Sequence, residues 1–109
     1  MKQMQLITKE IERKLLANPL YSGDGKPESE REVLVKFFTP DSNWTWYVLE
    51  ADKLENGDWA FFGYVEGLDK ELGYFNLSDF EECMGPMGLY IERDLYFSGT
   101  LADVTRRAY

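Results

Sequence analysis

Apolar residues follow a helical period only near the start of this chain, and then give way to alternation. Ile7, Ile11 and Leu15 recur four apart, with Leu16 beside the last, one stripe of a helix over residues 8–17. Thr8 suits the N-cap, because its hydroxyl can accept an orphan backbone N–H. Asn18-Pro19 ends the helix, since the residue before proline is pushed out of the helical region. Residues 21–32 form a polar loop holding Gly23, Gly25 and Pro27.

From residue 33 to 97 the pattern is that of strands. Residues 33–39 are β-branched and aromatic, and Pro40-Asp41-Ser42-Asn43 is turn chemistry. A second strand over 44–50 has Trp44, Trp46 and Val48 on one face, and Thr45, Tyr47 and Leu49 on the other. Asn56-Gly57 predicts a type I′ hairpin into a third strand, 58–66. Residues 67–70 turn into a fourth, 71–75. Such short loops imply an antiparallel meander, and they also admit closure into a partial barrel. Ser78 and Glu81 fit a capping box opening a short helix that runs to Cys83 and stops near Gly85-Pro86. Residues 89–97 read as a last extended segment, and 100–107 as a terminal helical turn or two. The expectation is a single α+β domain over 1–109, a small antiparallel sheet with helices on one side.

Composition narrows the chemistry. The 109 residues include no histidine and one cysteine, Cys83. A Ser-His-Asp or Cys-His nucleophile and a His-ligated metal site are therefore excluded, as is an internal disulfide. Cys83 reads as a small buried hydrophobe. No phosphate-loop spacing occurs among the glycines. No apolar run is long enough to span a bilayer, and no signal-peptide core opens the chain, so a soluble cytoplasmic protein is expected.

Charge is uneven. Residues 1–32 balance, 33–99 carry thirteen acids against four bases, and the total is −8. Such a body repels double-stranded nucleic acid; the first reading of the excess is that it keeps the protein soluble, the second that it attracts a basic partner or a cation. The candidate binding residues are Asp41, Ser42, Asn43, Trp44, Trp46 and Glu50 around the first hairpin. Arg93 joins them as an anchor for carboxylate or phosphate within Glu92-Arg93-Asp94, against the favoured reading of a structural ion pair with a neighbouring acid. The aromatic residues fill both strand faces, which predicts one partly covered sheet face, a platform for protein or for single-stranded bases. The acidic surroundings favour protein, of a basic or nucleic-acid-handling kind. A small metal- or nucleotide-binding enzyme is the alternative, using Asp41, Glu50, Glu66 and Arg93. Nothing in the residues calls for a cofactor.

The segment from Lys36 to Tyr47, KFFTPDSNWTWY, resembles the hallmark of a small bacterial family known only as a domain of unknown function. Phe61-Phe62-Gly63, the run from Glu71 to Phe75, Gly85-Pro86 and the run from Glu92 to Leu95 are similar to its other blocks, in the same order. Members of that family tend to be carried on plasmids, integrative elements and phages. The resemblance implies a mobile-element setting and carries no catalytic residues with it.

Overall fold

The computed structural model describes residues 5–23, 25, 27, 30–81, 85–95 and 97–106. Cys83 and the expected end of the second helix lie outside the described residues. Helix α1 runs Lys9–Leu16, and Thr8 caps it by accepting from the Ile11 N–H at 3.3 Å. Leu15 is buried, with Ile7 and Ile11 packed against the core. Leu16 instead faces solvent, because it falls about 100° around the helix from Leu15.

Four strands follow as a meander: β1 Val35–Phe38, β2 Thr45–Lys53, β3 Trp59–Glu66 and β4 Lys70–Asn76. Helix α2, Leu77–Glu81, comes next, then β5, Glu92–Arg93, and helix α3, Leu101–Arg106. The sheet order is β4-β3-β2-β1-β5, with every pairing antiparallel. It is an open sheet and not a partial barrel, since β4 and β5 stand at opposite edges. Within the extended segment expected over 89–97, Glu92 and Arg93 form the strand that pairs with β1, with Phe38 and Phe37 opposite.

Helices lie on both faces, which corrects the one-sided expectation. On the first face, α1 and α2 pack over Val35, Phe37, Val48, Ala51, Trp59 and Phe61. Phe80 of α2 centres the packing, its ring centroid 5.0 Å from Phe37 and 4.8 Å from Trp46. Aromatic pairs at such separations add about 0.5–1.5 kcal/mol beyond area burial. On the second face, Leu101 and Val104 of α3 pack against Val33, Tyr47 and Leu49, with Phe62, Tyr64 and Leu72 at the rim. Both faces need apolar residues, so the strands are rich in rings on both sides.

The hairpin at Asn56-Gly57 differs in type from the expected one. Only Gly57 has positive φ there, at 89°. The Gly57 N–H bonds to the Leu54 carbonyl, and the Leu54 N–H to that of Asp58. This is a three-residue loop, a type I turn closed by a left-handed glycine. The extra residue leaves Asp58 free to cap α2, where the capping box sits two residues earlier than Ser78 and Glu81. Asp79 accepts from the Asn76 N–H at 3.0 Å, and Asp58 accepts from the Ser78 N–H at 3.0 Å and its hydroxyl at 2.8 Å.

Asp58 gives a pH prediction. Desolvation alone would raise its carboxyl, but bonds from the Ser78 hydroxyl, the Trp59 N–H, the Asn76 amide and the Ser78 N–H together outweigh it and lower the pKa. A lowered folded-state pKa stabilises the fold above the unfolded value of about 3.9, and that contribution is lost as pH falls through the folded value. Asp58→Ala should cost roughly 0.5–2 kcal/mol at pH 7, in the range of a lost helix cap. Urea titrations at pH 7 and pH 3 check it: the gap between the wild type and Asp58→Ala should shrink at pH 3.

Candidate functional site

The turn between β1 and β2 is built around Thr39. Its hydroxyl accepts from the Trp44 N–H at 3.2 Å, and its N–H donates to the Trp44 carbonyl at 3.0 Å. Thr39 is buried, so this clasp fixes the loop from beneath. Ser42 and Asn43 are left exposed at the tip, and Trp44 is 38 % exposed. The Trp44 ring stacks on Trp46 at 5.9 Å, with 23° between planes, and Trp46 leads inward to Phe80. The tip indole is thus the outermost ring of the first core.

Two other turns are tied to this one. The face of Trp44 lies against Gly67 of the β3–β4 hairpin, where a Cβ would collide with the ring. Asp41 sits against Gly85 in the same way and accepts from the Met87 N–H at 2.7 Å. Asp41 is therefore only half exposed, and its role is to hold the turn over residues 85–88. The neighbouring turns carry two very exposed apolar residues, Leu68 at 92 % and Met87 at 79 %. Sequence reasoning missed both: a single apolar residue inside a polar turn has no periodic signal.

A cleft of about 400 Å³ opens beside the tip, lined by Lys36, Phe38, Thr39, Ser42, Asn43, Trp44, Thr45 and Asp94. At its floor Lys36 pairs with Asp94 at 3.3 Å. The same ammonium lies 5.5 Å from the Tyr47 ring and 5.3 Å from that of Phe97. Arg93 lies outside this cleft. It is half-buried and lines a smaller cleft of about 240 Å³ with Thr8, Glu10 and Lys14.

Glu50 is corrected most. The sequence places it on the binding surface, but the residue is 4 % exposed. A β-bulge between Val48 and Glu50 is the cause. It breaks the period of two at Leu49, so Ala51 takes the first-face position and Glu50 turns to the second. There the carboxylate accepts from the Tyr21 N–H at 2.7 Å, the Gly23 N–H at 2.9 Å and Arg31 Nη1 at 3.0 Å. Arg31 also donates to the Gly23 carbonyl at 2.8 Å, and its guanidinium lies 5.9 Å from the Phe62 ring centroid. Tyr21 has φ 70°, and backbone N–H groups gathered by such a left-handed residue form a concave anion seat. This seat is filled from within.

The hairpin thus brings Ser42, Asn43 and Trp44 together at the surface, with Trp46 half-buried behind them. Asp41 anchors from one side, while Glu50 and Arg93 belong elsewhere. Of Asp41, Glu50, Glu66 and Arg93, the alternative set the sequence offers, Glu50 and Arg93 line two different clefts among the described residues. Among the described residues no group of three or more His, Cys, Asp or Glu is placed to hold a metal ion. No helix among them is long and apolar enough to cross a membrane.

A family model described as a protein of unknown function (DUF2958) matches residues 6–105. The chain belongs to that family. No curated protein and no solved structure matches.

Proposed function

We propose that this chain is a non-enzymatic protein-binding module of a mobile genetic element, acting on host defence or on the element's own transfer. One observation carries the reading: three turns tied to one another expose Trp44, Leu68 and Met87 at one end of the sheet. Exposed apolar groups gathered at one place mark interaction sites, and tryptophan is the side chain that most often dominates an interface. Glu66, Asp69 and Glu71 flank the β3–β4 turn and favour a basic partner, such as a nucleic-acid-handling protein. The mobile-element setting rests on the family resemblance of the KFFTPDSNWTWY segment.

The cleft of about 400 Å³ beside the tip supports a second reading, a small-ligand site in which Lys36, Asp94, Ser42 and Asn43 supply polar contacts. One experiment separates the two. The purified chain is used to capture protein from a host lysate, eluted with salt and identified by mass spectrometry. A dominant basic protein is expected, and Trp44→Ser, checked for folding by circular dichroism, should lose it. Undiminished capture by the folded variant would sink the turn as the binding surface. An empty lane would move the weight to the cleft, and a thermal-shift panel of divalent cations and nucleotides would then be the decisive screen.

A further inference from the structure

The two edges of the sheet are treated very differently. At one edge β5 is two residues long, which leaves little backbone to template another strand. At the other, β4 runs for seven residues, Lys70–Asn76. It pairs with β3 in unbroken register from Ala60↔Asn76 to Glu66↔Lys70, with no bulge. Among the described residues no strand pairs with its outer side. It contains no proline. Shortness thus blunts the edge at β5, while β4 is longer, unbulged and free of proline, its charged residues Lys70 and Glu71 confined to its first two positions.

The chemistry beside this edge is two-sided. On the second face of the sheet, Leu72 and Tyr74 flank it, with Tyr74 63 % exposed and its ring centroid 5.0 Å from that of Phe62. Tyr64, opposite Leu72 in register, continues the apolar strip inward. Helix α3 packs against the part of this face nearer β2, with Phe62, Tyr64 and Leu72 at its margin. On the first face Glu71 stands at the edge, one residue out of phase with Leu72. Residues 54–81, which make up this half of the sheet with its turns and α2, hold seven acids against Lys70 alone, a net of −6. Three-quarters of the net charge of −8 is therefore gathered beside one open edge.

We propose that β4 is a docking edge for an extended basic segment of a protein partner, which adds to the sheet as a further strand. The inference rests on the protein-binding reading above and names both the mode and the chemistry of the contact. Backbone bonds to the open edge would supply affinity, as in other strand additions. Alternate apolar side chains of the segment would lie on Leu72 and Tyr74, and the intervening basic ones would meet Glu71 and the acids around it. A second copy of this chain is the wrong occupant, because pairing two β4 edges would bring two regions of net −6 together.

The test uses the full chain and a fluorescent synthetic peptide of alternating lysine and valine. Two control peptides accompany it, one with glutamate for lysine and one with alternate backbone amides N-methylated. Anisotropy should show saturable binding of the first and binding at least about tenfold weaker for both controls. Tyr74→Lys, at an exposed position, should weaken it as much. Hydrogen exchange should slow across residues 70–76 and not at the Trp44 turn. No binding, or binding that is indifferent to N-methylation and leaves 70–76 unprotected, overturns the proposal. If the peptide fails while Trp44-dependent capture from lysate persists, the edge assignment falls alone. If Trp44→Ser keeps its captured partner while the peptide docks on β4, the turn falls and the edge stands.

Discussion

Replacing Glu50 by alanine should lower the stability of this protein by roughly 3–5 kcal/mol, the cost of stranding one member of a buried ion pair. The carboxylate bonds to Arg31 and to the N–H groups of Tyr21 and Gly23. Removing it leaves a guanidinium and two backbone donors without their carboxylate, at the wall of a cleft of about 220 Å³. Natural domains are stable by only about 5–15 kcal/mol, so this one change would consume a large share. The loop after α1 should loosen first, because Asn18, Leu20, Tyr21 and Gly23 are all pinned to β2 there. Urea denaturation with a fluorescence readout measures the loss, and a value under about 1 kcal/mol would show that the site relaxes or hydrates.

A companion variant tells the ion pair from its backbone bonds. Swapping a buried pair for apolar residues often restores stability. Here Arg31→Met with Glu50→Leu should stay well below wild type, because the Tyr21 and Gly23 N–H groups and the Gly23 carbonyl would still lose their partners. A further consequence bears on function. A Glu50 variant that loses a binding partner would report a damaged fold and not a missing contact. Trp44 is the cleaner probe of the turn, and Tyr74 of the edge.

What could be read from the residues was whatever carries a period or a local code. Helix α1 has its stripe and its cap, and β1 to β4 have their alternation and their turns, so the antiparallel meander was legible. The tip residues Ser42, Asn43 and Trp44 were legible too, since a proline-led polar turn between aromatic strands has to lie at the surface. The bulge at Leu49 was not. It inserts one residue without changing composition, yet it inverts the facing of everything after it on β2, and that inversion is what buries Glu50. The placement of helices on both faces was hidden as well. Leu101 and Val104 are too few to show a helical period, and the three-residue reach from Thr100 to Asp103, where each side chain accepts the other's N–H, is the only local signal of α3. The open edge at β4 could not be foreseen, because strand order depends on where β5 returns.

The bulge also sets up the sharpest contrast available by mutation. Gly63 of β3 and Gly73 of β4 face one another across the ladder. A methyl group on Gly63 would run into the Tyr47 carbonyl on β2, with the Val48 Cα 3.1 Å away, just before the bulge. Those are backbone atoms in the centre of the sheet, and they can yield only by shifting β2 itself. That shift would disturb the residues that turn Glu50 toward Arg31. Gly63→Ala should therefore cost at least about 3 kcal/mol, the upper end of what overpacking brings, or leave the chain insoluble. On Gly73 the same methyl group meets nothing within 4 Å. Gly73→Ala should leave stability unchanged or raise it by about 0.4–1 kcal/mol, through the lower entropy of the unfolded chain. Paired urea titrations of the two variants decide the matter. Equal effects would mean that β2 and β3 do not pack as closely at the bulge as the Tyr47 carbonyl requires, and the account of how Glu50 comes to be buried would fall with it.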